Sequence, residues 1–113
     1  MSEQETPMIV LVRDLMFASK IRATAQSLGA TVTMLRDPAK LAGETGARLI
    51  VDLNQEGAIE AAAAWKAAGA GREIVGFVSH VDAATITRAR EAGVDKVLAR
   101  SQFVQQVEQL LSP

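Results

Sequence analysis

The sequence predicts an α/β domain, an open, doubly wound parallel sheet of five strands with helices on both faces. Three observations carry this expectation. Residues 8–12, 49–51 and 74–78 form short apolar runs, rich in β-branched and aliphatic side chains, as in strands buried on both faces. Between such runs lie segments whose apolar residues recur at helical spacing. The two patterns alternate five times in 113 residues, which suits one domain and excludes a closed eight-fold barrel.

Taken in order, residues 1–7 are polar, acidic and end at Pro7, and are expected to be a flexible leader to a domain spanning 8–113. Residues 8–12 make the first strand. Phe17, Ile21, Ala25 and Leu28 then share one helical face, and Gly29 can adopt the left-handed backbone that ends a helix. Residues 31–35 read as a second strand. Asp37-Pro38 supplies an N-cap and a proline for the first position of a short second helix that ends near Gly43 to Gly46. The third strand, Leu49-Ile50-Val51, stops at Asp52. Residues 57–68 form an alanine-rich third helix with Ile59 and Trp65, closed by Gly69 and Gly71.

Residues 74–78 make a fourth strand ending on Ser79 and His80. Asp82 caps a fourth helix that runs through Ala92 to Gly93, with Ile86 and Ala89 on one face, and residues 97–99 form a fifth strand that ends at Arg100. Ser101 is expected to cap the last helix, whose stripe is Phe103, Val104, Val107, Leu110 and Leu111. Right-handed crossovers place helices on both faces, and the order expected is the flavodoxin-like 2-1-3-4-5.

Composition narrows the function classes. With 12 Lys plus Arg against 13 Asp plus Glu, the net charge is -1, so nothing favours nucleic acid. The absence of cysteine excludes disulfides and thiolate metal sites. No apolar run is long enough to span a bilayer and the start of the chain is acidic, so the expected location is cytoplasmic, with no membrane partner. The aromatic residues, Phe17, Trp65, Phe77 and Phe103, are too few for a platform that stacks a base or a flavin. No G-x-G-x-x-G follows the first strand.

In open parallel sheets, ligands bind outside the carboxyl ends of the strands, near the point where the strand order reverses. That rule selects Arg13 and Asp14, Asp52 and Asn54, Ser79 and His80, and Arg100. Two carboxylates at such an edge need a cation between them, for which Mg²⁺ is the natural candidate. A carboxylate so neutralised can accept a phosphoryl group, with a hydroxyl such as Ser79 orienting its oxygens. The competing reading is that Asp14 and Asp52 only cap the following turns, and that Arg13 and Arg100 are solvated charges. His80 is the only histidine and no second nucleophile or base accompanies it, so it reads as a loop residue.

From residue 8 to residue 111 the chain resembles the receiver (CheY-like) domain of two-component response regulators. Leu49-Ile50-Val51-Asp52-Leu53 resembles that family's third strand with its phospho-accepting aspartate, and Asn54 falls where a backbone carbonyl completes the Mg²⁺ site. Val78-Ser79 resembles the end of the fourth strand, and Arg90-Glu91-Ala92-Gly93-Val94-Asp95-Lys96-Val97-Leu98 the approach to the fifth. The resemblance implies Asp52 as acceptor, Asp14, Asp52 and Asn54 around Mg²⁺, and Ser79 and Arg100 as contacts to the phosphoryl oxygens.

The departures gather at the site. The usual acidic pair after the first strand is Arg13-Asp14, the usual Lys-Pro after the fifth is Arg100-Ser101, a small residue after Ser79 is replaced by His80, and Val97 stands where an aromatic is common. Arg13 is positioned to pair with the carboxylates in place of Mg²⁺. The expected function is that of a stand-alone, non-enzymatic pseudo-receiver in signal transduction, with weak or absent phosphorylation of Asp52. Its partners would be a histidine kinase or a downstream effector, and a homodimer would use the face of the fourth helix, fifth strand and last helix. The alternative is a flavodoxin-like domain that binds a nucleotide or an anionic metabolite at the strand ends, through Arg13 and Arg100.

Overall fold

A computed structural model describes residues 7–80 and 82–112. In chain order the elements are β1 (Met8–Leu11), α1 (Leu15–Leu28), β2 (Val32–Leu35), a 3-10 turn (Pro38–Leu41), β3 (Arg48–Asp52), α2 (Ala58–Ala67), β4 (Glu73–Val78), α3 (Ala83–Glu91), β5 (Lys96–Ala99) and α4 (Arg100–Leu111). The strands are all parallel, in the order β2-β1-β3-β4-β5. This is the topology the alternation predicts. Of the expected leader only Pro7 is described, and its carbonyl already accepts the Ala47 N–H at 2.8 Å.

Two elements differ from the sequence reading. The expected second helix is a single 3-10 turn, because the segment offers one buried residue, Leu41, and Ala42 returns to extended backbone. Asp37 caps it as expected, accepting the Ala39 N–H at 2.9 Å. The last helix is not capped by Ser101. β5 runs straight into α4, so Ala99 is the cap residue, and the Gln102 side chain accepts the Ala99 N–H at 2.9 Å. Ser101 is already inside the first turn and exposed.

Alternation along the strands sorts the core into two layers. Ile9, Leu11, Leu49, Val51, Leu53, Ile74 and Val78 face α2, α3 and the 3-10 turn, where Ile59, Trp65 and Ala89 are buried. Met8, Val10, Val12, Ile50, Val75, Phe77 and Leu98 face α1 and α4, which bury Phe17, Ile21, Phe103, Leu110 and Leu111. Gly76 lies on β4 between Val75 and Phe77, and a Cβ there would come within 2.6–2.8 Å of three Leu53 side-chain carbons. The leucine next to Asp52 therefore occupies space that only glycine leaves open.

At the opposite ends of the strands, the Asp95 of the motif that resembles the receiver family has a structural task. Its Oδ2 accepts the Ile74 N–H at 2.8 Å, and both its oxygens lie 2.8 Å from Lys66 Nζ. Burial alone pushes this carboxyl up, but the Lys66 ammonium and the Ile74 N–H outweigh it and hold the Asp95 pKa below the usual value.

Two outcomes follow from this packing. Gly76→Ala should lower stability by about 1–3 kcal/mol in urea unfolding, and part of the loss should return in the double variant with Leu53→Ala. Because the Asp95 pKa is lowered in the folded chain, its contribution is present above the unfolded value and lost as pH falls through the folded one. Asp95→Asn should accordingly destabilise at pH 7, by less than about 1 kcal/mol because the pair is partly solvent-screened, and the cost should shrink as pH is lowered from 7 into the acid range.

Candidate functional site

Each residue selected by the strand-end rule lies on the carboxyl side of the sheet, at the end of β3 in the case of Asp52 and within three residues after β1, β3, β4 or β5 for the others. Asp14 ends the turn after β1 as the N-cap of α1, and its Oδ1 accepts the N–H groups of Met16 at 2.9 Å and Phe17 at 3.1 Å. The Phe17 N–H holds the Asp14 pKa below the usual carboxylate value against desolvation, with Met16 and Arg100 adding to it. One side chain thus caps α1 and faces Arg100.

Asp52 closes β3 opposite Phe77 in the register with β4. Phe77 stacks on Phe103 with ring centroids 4.7 Å apart and meets Phe17 edge-on at 5.2 Å, so three of the four aromatic residues form a floor beneath the strand ends. Asp52 is only partly accessible, and burial raises its pKa. The Asn54 N–H at 3.0 Å and the charge of Arg100 oppose that shift, while the charge of Asp14 reinforces it. The two carboxylates and Arg100 therefore share one electrostatic neighbourhood.

Arg100 is the first residue of α4, and helical side chains lean toward the helix N-terminus, here back over the strand ends. Its guanidinium carbon lies 4.1 Å from the centroid of Phe17, and its Nη2 is 3.5 Å from Asp14 Oδ2. The pair is about half exposed, so solvent screens it strongly, but its placement is set on two sides. The missing loop between β5 and α4 is what brings this cation into the hollow.

Arg13 goes elsewhere. It is exposed, takes part in no ion pair among the described residues, and lines a separate hollow with Arg36 and Glu56. The cation beside the carboxylates is Arg100, not the expected Arg13.

Asn54 carries a role that its sequence position did not signal. Its Oδ1 accepts the Ser79 N–H at 2.8 Å, the His80 N–H at 3.0 Å and the Ser79 hydroxyl at 3.3 Å. The loop after β3 is thereby clamped to the loop after β4, and the Ser79 hydroxyl is engaged by an amide. His80 is exposed and joins the clamp through its backbone. Gln102 and the aromatic floor were likewise missed, since nothing local in the sequence marks either.

These donors do not fit a resident Mg²⁺. Asp14 Oδ1 is committed to two N–H groups and Oδ2 faces a guanidinium, while Asp52 Oδ1 holds the Asn54 N–H. Among the described residues no three His, Cys, Asp or Glu side chains gather closely enough to hold a metal. Mg²⁺ would have to displace Arg100 to reach Asp14.

The architecture is that of response regulator receiver (CheY-like) domains. A response regulator from Burkholderia pseudomallei, solved with a phosphorylated aspartic acid, a calcium ion and citrate, superposes with a TM-score of 0.79 at 18% identity, over 96% of this chain and 67% of that one. A receiver domain protein from Methanospirillum hungatei gives 0.79 at 11% identity, over 96% and 94% of the two chains. A CheY-like response regulator from Mesorhizobium loti gives 0.69 at 13% identity, over 96% and 100%. No protein-family model matches the sequence, and no curated protein matches it. The likeness resides in the fold.

Two measurements test this electrostatic picture. Arg100→Met should move the pKa values of both Asp14 and Asp52 upward in a carboxyl-carbon NMR titration. The raised Asp52 pKa means that its ionised form is penalised in the folded chain above the unfolded value, a penalty that vanishes once both states are protonated. Asp52→Asn should therefore stabilise at pH 7, by roughly 0.5 kcal/mol, and be neutral near pH 3.

Proposed function

We propose that this chain is a receiver-fold signalling module that acts by protein contact, without the Mg²⁺-dependent phosphoryl switch at Asp52. The observation that carries the reading is Arg100, stacked on Phe17 beside Asp14, where it supplies from within the chain the positive charge that the two carboxylates require. The Asn54 clamp supports it, because the Ser79 hydroxyl must leave Asn54 before it can meet a phosphoryl oxygen. The module is a binding protein, not an enzyme, and works in the cytoplasm.

Its partners are signalling proteins, a histidine kinase or a downstream effector. Exposed apolar side chains favour α1 and α4 as contact elements. Met16 is 82% and Leu15 61% exposed on α1, and Val104, 48% exposed on α4, lines a shallow groove with Phe17, Ile21, Phe103 and Val107, edged by Lys20 and Thr24. α4 also belongs to the α3, β5 and α4 face, where β5 is an open sheet edge, and a homodimer would form there.

Acetyl phosphate and Mg²⁺ provide the test, with intact-mass measurement as the readout. The unmodified mass should persist in the wild-type chain. A phosphoryl adduct that disappears in Asp52→Asn would overturn the proposal.

A further inference from the structure

The residues that fall outside the Asp14, Asp52 and Arg100 group make a second feature at the same rim of the sheet. Arg13 follows β1, Arg36 follows β2, and Gln55 and Glu56 follow β3. With Asp37 and Pro38 they line an open, polar hollow of about 480 Å³, a volume within the range of small-molecule sites. It lies over the ends of β2, β1 and β3, where the sheet extends from β1 to one side with β2 and to the other with β3. That is the topological switch point of the sheet.

Among the described residues, three of the four charges lining this hollow are unpaired. Neither Arg13 nor Arg36 takes part in an ion pair among the described residues, and the Glu56 side chain makes no hydrogen bond there. Asp37, by contrast, is committed to capping the 3-10 turn. The wall is built rather than loose, since Gln55 Nε2 donates to the Arg36 carbonyl at 2.6 Å and joins the loop after β3 to the end of β2. Two guanidiniums that pair with nothing among the described residues match a phosphate, whose oxygens they can grip in pairs, and one carboxylate likewise unpaired there matches vicinal hydroxyls. A simple anion would leave Glu56 repelled and unused.

We infer that this hollow binds a nucleoside monophosphate, with Arg13 and Arg36 on the phosphate and Glu56 on the ribose hydroxyls. No aromatic side chain lines the hollow, so the base is not stacked and purines of either kind are accepted. Affinity is correspondingly weak, with Kd of the order of 0.1–1 mM. The site is independent of whether Asp52 accepts a phosphoryl group, and its test involves neither Mg²⁺ nor a phosphodonor.

Titration of the intact chain with AMP, GMP, adenosine and inorganic phosphate, followed by amide NMR, decides the matter. AMP and GMP should shift the amides of residues 13, 36–37 and 55–56 with similar affinity, and adenosine and phosphate should each bind about tenfold more weakly. Arg13→Gln and Arg36→Gln should each weaken AMP about tenfold, and Glu56→Gln about threefold, while Arg90→Gln, exposed on α3, leaves it unchanged. All four positions are exposed, and the amide spectrum of each variant reports whether the fold is intact. Inorganic phosphate binding as tightly as AMP, shifts confined to other residues, or no shift by about 10 mM would each overturn the inference.

Discussion

Both faces of the sheet are buried, and this constraint organises everything else in the molecule. A strand covered on two sides can place a polar side chain only where it enters or emerges, so β3, β4 and β5 begin on Arg48, Glu73 and Lys96, and β1, β3, β4 and β5 each reach charged or hydrogen-bonding groups again at the carboxyl rim. The rim is chemically rich because the interior is not. Parallel pairing then ensures that all four emerging ends lie on the same side.

Within that rim the charges separate into two groups. Asp14, Asp52 and Arg100 sit over the aromatic floor on the side of α1 and α4, whereas Arg13, Arg36 and Glu56 gather toward β2. The separation begins at adjacent residues. Asp14 is drawn inward by its duty as the cap of α1, and Arg13, one residue earlier, stays outside in solvent. The fold is that of receiver domains, but the fold alone does not specify the chemistry at this rim.

Much of the fold was legible in the sequence because its signals are local. Apolar runs of 3–5 residues and the cap residues Asp14, Asp37 and Asp82 belong to single segments, and Gly29 does close α1 with φ 71°. The errors came where the outcome depends on the neighbouring element. Asp37-Pro38 has a proper start signal, yet one buried leucine cannot sustain a helix beyond a turn. Ser101 has the right chemistry for a cap but follows a strand that enters the helix one residue earlier.

At the candidate site, the sequence by itself determined which residue types reach the rim, since hydropathy dictates where each strand must end. Which of them meet was decided only in three dimensions. On paper Arg13 was the cation expected to pair with the carboxylates, and Arg100 a contact to phosphoryl oxygens. Their fates differ because α4 begins without an intervening loop and its first side chain leans back across Phe17, while Arg13 precedes its helix and has no ring to rest on. The engagement of Asn54 with Ser79 was equally invisible, because 25 residues separate the partners and only the pairing of β3 with β4 makes them neighbours.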